Sequence, residues 1–243
     1  MGGASINAER YFYSTAALVM LGITFAAFQP YYLAGEGMSG RQIAPELFAL
    51  VLVHAVALTG WMVLFLAQAL LIDVRSRNVH RKIGWGGAVV ALGVTISGCM
   101  LAVQSVRAAP EFPFWGMAYR QFLLVMLAEI ALFTAFMLAG VLTRRRRERN
   151  RAMMLLATLS ILAGATVRMP MLFPLFGEAG WTGIFGPIFV LGALFLLARS
   201  ALTRRLDRPL ATGYAVLVVF YVAACHFAVS GSWSYLAAAV FNT

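Results

Sequence analysis

Charge is scarce in this 243-residue chain, and acidic charge most of all: Asp, Glu, Lys and Arg together make up 12% of it, with only 9 carboxylates. A soluble domain carries about 25% charged residues and cannot hide so much apolar surface without associating. The only aspartates are Asp73 and Asp207, and there are three histidines, His54, His80 and His226. Zinc hydrolysis within a membrane calls for a denser set of such ligands. H-E-x-x-H, G-x-S-x-G, the P-loop, the dinucleotide fingerprint and C-x-x-C-H are all missing, which argues against hydrolytic chemistry and covalent haem. Two cysteines, Cys99 and Cys225, exclude a disulfide framework and read as small buried hydrophobes.

What the chain has in excess is apolar length: 62% of it is hydrophobic and its mean hydropathy is +0.84. A spanning helix needs roughly 20 mostly apolar residues. On that criterion residues 11–33, 47–72, 84–106, 121–142, 152–173, 181–198 and 211–229 are seven predicted spans. The expected fold is an all-α polytopic transmembrane bundle in a single domain, with residues 230–243 as an interfacial tail. The first apolar run follows Glu9 and Arg10 rather than a basic leader, so it is expected to double as the targeting signal.

The net charge of +10 is not spread evenly. Arg10, the segment 74–83, the six arginines of 144–151 and the segment 199–208 place fifteen cationic residues on one side of this topology. Arg41, Arg107 and Arg120 are the three on the other. Positive loops stay cytoplasmic. The expected orientation therefore has the amino terminus inside and the carboxyl terminus outside, in a bacterial inner (plasma) membrane. Basic residues clustered between apolar runs belong to topology and to anionic lipid headgroups, not to nucleic acid. Phe112, Phe114, Trp115 and Tyr119 crowd the connection between the third and fourth spans as an interfacial aromatic belt does.

Two formal charges fall inside predicted spans, Glu129 and Arg168. Each costs about 2.5–3.5 kcal/mol on insertion scales, so such residues are expected to be paired or functional. Their axial offset is roughly 6–9 Å at about 1.5 Å per residue, within reach of an ion pair. His54 and His226 share the non-cytoplasmic half. Two imidazoles from facing helices would ligate one haem b, with Arg168 neutralising a propionate. His54, Trp61 and Gln68 recur every seventh residue, so one face of the second helix should point inward, as a polar seam or as part of a site. Small residues recur every fourth position at Gly87, Ala91, Thr95 and Cys99, and again at Ser160 and Gly164, and close packing accounts for both runs. Pro30, Pro170, Pro174 and Gly186-Pro187 break helices in the same half, where broken helices line cavities.

Arg77, His80, Arg81 and Lys82 form a basic turn that reads as a lipid-contacting, orienting segment. The stretch from His54 through Trp61 and Gln68 to His80-Arg81 and Gly84 resembles uncharacterised bacterial multi-helix membrane families of unknown function. In these a helix with an early His and a late Gln is followed by an H-R-x-x-G turn. The resemblance covers roughly 40 residues and implies a link to haem or oxidase assembly. Three functions are therefore expected to compete: a redox or haem-handling component, a structural or assembly subunit of a larger membrane complex, and a carrier or receptor for a small anionic molecule with Arg168 as counter-charge and Glu129 as its proton-linked partner.

Overall fold

A long apolar run in a bilayer can satisfy its N–H and C=O groups only by bonding to itself as a helix. In the computed structural model, which describes residues 2–38 and 41–241, the chain does so throughout: 84% of it is helical. The helices are α1 (Gly2–Ala27), α2 (Gln29–Ala34), α3 (Phe48–Asp73), α4 (Arg77–Ala108), α5 (Tyr119–Leu142), α6 (Arg147–Ser160), α7 (Ala163–Thr166), α8 (Phe173–Phe176), α9 (Gly186–Thr203), α10 (Arg208–Ala228) and α11 (Gly231–Phe241). Two small antiparallel hairpins, β1 (Glu36–Met38) with β2 (Arg41–Gln42) and β3 (Pro113–Phe114) with β4 (Met117–Ala118), close connections at one end.

Among the described residues, five helical segments are long and apolar enough to cross a membrane: Pro45–Asp73, Arg77–Ala108, Tyr119–Leu142, Gly186–Thr203 and Arg208–Ala228. A sixth span arises if Arg147–Thr166 and Pro170–Gly183, which meet at a 90° bend, count as one. Outward-facing Val56, Trp85, Val89 and Leu142 are all at least 65% exposed, as side chains that face lipid are. The chain is an all-α membrane protein.

The expected first span, 11–33, is not one of the five. It divides at Phe28 into α1 and α2, with Pro30 inside the first turn of α2, where its missing N–H costs nothing. Much of α1 faces protein. Phe12, Ala16, Ala17 and Met20 are buried, and the buried hydroxyls of Ser14 and Thr24 donate to Tyr11 and Met20 carbonyls at 2.9 Å each. The expected continuous helix 152–173 is likewise interrupted. α6 stops at Ser160, α7 is a single turn, and Met169 is extended because it precedes Pro170. The chain then crosses the end of the bundle through α8 and a 3-10 turn. It re-enters at Gly186-Pro187, five residues later than expected from the hydrophobic run. Gly180 turns this segment with φ +57 and ψ −136, a conformation reserved for glycine.

α6 is the centre of the bundle. Leu155, Leu156, Ala157, Thr158 and Ser160 have no exposed surface, which is how a helix surrounded by other helices reads. Gly213 of α10 lies directly against Leu156, so a Cβ there would overlap its side chain. Such contacts stand in for hydrophobic drive, which is weak between helices in lipid. At the arginine-rich end, buried Arg199 reaches Glu9 at 3.5 Å and Asp207 at 3.4 Å, while Arg10 donates to the Asp73 carbonyl. These contacts tie α1, α3, α9 and α10 together. The tail, expected as an interfacial strip, is the helix α11. It docks on the start of α5 through Gln121 to Ser234 (3.3 Å) and Trp233 to the Arg120 carbonyl (3.4 Å). Asn242 and Thr243 lie outside the described residues.

Candidate functional site

An unbroken helix would bond the Gly164 N–H to the Ser160 carbonyl one turn back. The interruption between α6 and α7 frees both groups, and buried backbone groups must find partners. Side chains from two other helices supply them. Glu129 of α5 accepts the Gly164 N–H on Oε1 at 2.9 Å, and the hydroxyl of Tyr221 of α10 donates to the Ser160 carbonyl at 2.8 Å. Tyr221 is fully buried and stacks on Phe185 at 3.7 Å. The other end of the Gly164 peptide is also taken, because Arg168 Nη1 donates to the Gly164 carbonyl. Glu129 and Arg168 thus hold opposite ends of one residue and form no ion pair with each other among the described residues.

Both side chains line a cavity of about 410 Å³ that runs from the broken helix towards the β1–β2 connection. His54 lines it as well. The volume is within the range of about 300–1,000 Å³ typical of small-molecule sites. Most of the wall is apolar, built from residues such as Leu58, Val94, Phe122, Ile130 and Phe185, so the few polar groups stand out against it. The Arg168 guanidinium lies over the Phe28 ring at 5.2 Å. Its Nη1 is committed to Gly164, its Nε is buried with no hydrogen-bond partner, and no described residue bonds Nη2.

The His54 ring is held in one tautomer. Ser97 Oγ donates to the Gly93 carbonyl at 2.6 Å, so its proton is in use, and its lone pair receives the His54 Nδ1–H at 3.0 Å. Nε2 is then the unprotonated nitrogen and has no partner among the described residues. Gly98 permits this approach, since a Cβ there would lie 3.2 Å from His54 Cε1.

The remaining residues singled out from the sequence are placed elsewhere. His226 is exposed, does not line the cavity, and meets Trp181 edge-on with ring centroids 5.0 Å apart. Cys225, its neighbour, is the residue that α10 turns inward. The structure therefore joins His54, Glu129 and Arg168 and leaves His226 out. Trp61 is buried, donates from Nε1 to Thr158 Oγ1 at 3.2 Å and packs edge-on against Phe133. Gln68 and His80 clasp each other: Gln68 Nε2 donates to the His80 carbonyl at 3.1 Å, and His80 Nδ1 donates to the Gln68 carbonyl at 3.3 Å. Arg77, Arg81 and Lys82, expected in a turn, lie with His80 in the first turns of α4, where the three basic side chains are exposed. The inward face of α3 is thus a polar seam whose three members bind three different partners. Of the run Gly87, Ala91, Thr95 and Cys99 only Ala91 is buried; the buried positions of α4 are Ala91, Val94, Ser97, Gly98, Ala102 and Val106.

Comparison with protein-family models, curated proteins and solved structures finds no match to this chain. The site must be read from its own chemistry. Among the described residues, no group of three or more His, Cys, Asp or Glu side chains is arranged to hold a metal ion. Two residues central to the site, Ser97 and Tyr221, escape the sequence reading. Tyr221 carries a usable signal, because a phenol inside an apolar run needs an acceptor that lipid does not supply. Ser97 carries none, as one hydroxyl among several small residues of α4.

Proposed function

We propose that the chain is a seven-span protein of a bacterial plasma membrane that binds a small anionic molecule in the cavity lined by His54, Glu129 and Arg168. α1 is the seventh span in this reading, the amino terminus is cytoplasmic, and the arginine-rich turns lie on the cytoplasmic face against anionic lipids. The cavity then belongs to the non-cytoplasmic half. One observation carries the proposal: Arg168 is a half-buried cation that makes no salt bridge with Glu129, whose carboxylate acts on it across Gly164, and its Nε is unsatisfied at the wall of a cavity large enough for a ligand. A buried charge is stable only when compensated, and an anionic ligand compensates it. Glu129, held at the same peptide, is the group that exchanges a proton when the anion binds or leaves.

A haem held between His54 and His226 does not fit these residues, because the two imidazoles do not face a common space. The test is thermal unfolding of the full chain in lipid nanodiscs against a panel of small organic and inorganic anions. At least one anion raises the midpoint of the wild type, and Arg168→Gln loses that shift. A panel with no effect, or a shift unchanged in Arg168→Gln, overturns the proposal. A Soret band in the purified protein that disappears in His54→Ala would restore the haem reading.

A further inference from the structure

The free part of Arg168 has a definite shape, and that shape selects among anions. A guanidinium offers two bidentate edges, one end-on through Nη1 and Nη2 and one side-on through Nε and Nη2. Nη1 is occupied by the Gly164 carbonyl, which removes the end-on edge. The side-on edge remains. Its Nε–H is buried and unsatisfied, and Nη2 has no partner among the described residues. Gly164 holds one end of the group and the Phe28 ring lies 5.2 Å from its Cζ, so the guanidinium is anchored at the cavity wall. Two parallel N–H donors match the two oxygens of one carboxylate.

The rest of the cavity says what is attached to that head. Beyond the polar cluster the walls are mostly aliphatic and aromatic, among them Val51, Leu101, Phe114, Val125 and Met126, with Thr24, Gln42, Glu46, Thr59 and Ser105 as polar exceptions. A hydrated ion such as phosphate would lose its water against these walls without replacement, and unpaired polar groups in such surroundings cost several kcal/mol each. An apolar body fills the same space with gain.

We infer that the ligand is an amphipathic monocarboxylate, held side-on by Nε and Nη2 of Arg168 with its apolar body against the α3, α4 and α5 walls. This rests on the anion-binding reading above and narrows it to one head group and one kind of body.

The experiment is equilibrium binding to the full chain in nanodiscs, using hydrocinnamate, hydrocinnamyl alcohol, acetate and inorganic phosphate as probes. Hydrocinnamate binds; the alcohol, which keeps the body and loses the charge, and acetate, which keeps the head and loses the body, each bind on the order of tenfold more weakly or worse, the worth of one charge-assisted hydrogen bond or a few buried methylenes. Arg168→Lys retains the charge without the fork and loses at least about tenfold for hydrocinnamate. The wild-type series stands without any variant, so a poorly folded Arg168→Lys does not remove the test. Phosphate or acetate binding as tightly as hydrocinnamate overturns this inference and leaves the anion site intact. Equal binding of the alcohol and the acid removes the anion site as well.

Discussion

His54 and His226 share a depth in the predicted topology but not an environment, and the difference is a single helical step. Neighbouring residues on a helix point about 100° apart, so with Cys225 facing the bundle His226 faces away from it. Nothing in the residue types settles which of the two turns inward, so the sequence pairs the histidines by depth alone. The two imidazoles should respond differently to removal. His54→Ala takes a ring from between Ser97, Gly98 and Ile130 and is expected to cost about 1–3 kcal/mol of stability. His226→Ala removes an exposed ring resting on Trp181 and is expected to stay within about 0.5 kcal/mol. Equilibrium unfolding of both variants in the same detergent or lipid checks this, and equal losses would mean that α10 is rotated from the orientation described.

The elements that were hardest to read are those whose helices stop for reasons outside their own sequence. Pro170, Pro174 and Gly186-Pro187 announce irregular backbone, and the chain is irregular there. The interruption before Gly164 is announced only weakly, because Ser160, Gly164, Thr166 and Val167 are poor helix formers within a run that is otherwise apolar and free of proline. It exists because Glu129 and Tyr221 offer its freed N–H and C=O better partners than each other, a tertiary effect that overrides propensity. Two side chains that mend one break should be coupled. Glu129→Ala and Tyr221→Phe each leave a buried backbone group unsatisfied, at about 1–3 kcal/mol apiece. The double variant is expected to fall short of the sum by about 0.5–3 kcal/mol, since either loss frees Gly164 and Ser160 to bond directly. Strict additivity in the four-variant cycle would mean that the two contacts are independent. Glu129→Gln keeps an acceptor for Gly164 and should retain most of the stability that Glu129→Ala loses. The clasp of Gln68 and His80 behaves in the same way at the α3–α4 turn. His80 there takes part in a hydrogen-bonded closure, and His80→Ala should cost about 0.5–1.5 kcal/mol in the same assay.

At the scale of the whole molecule the question is whether the number of spans is odd or even, and α1 and the bent segment decide it. Five segments qualify by length and apolarity, and the bent pair makes six. α1 makes seven if it crosses. An even count puts both termini on one side and an odd count separates them. The charge pattern bears on the two unequally: without the bent pair the arginines of 144–151 and of 199–208 fall on opposite faces, whereas without α1 only Arg10 changes side and fourteen cationic residues still face four. The apparent shortfall of α1 has a physical source, since Ser14 and Thr24 satisfy their own hydroxyls within the helix and face protein rather than lipid. Thiol labelling reads the parity directly. In a Cys99→Ser, Cys225→Ser background, Ala8→Cys and Arg146→Cys should react with a membrane-impermeant maleimide only after the cells are permeabilised, and Ser232→Cys should react in intact cells. If positions 8 and 232 share a side, the count is even. The cavity that holds Arg168 would then keep its geometry, but the face of the membrane from which its ligand enters would have to be assigned afresh.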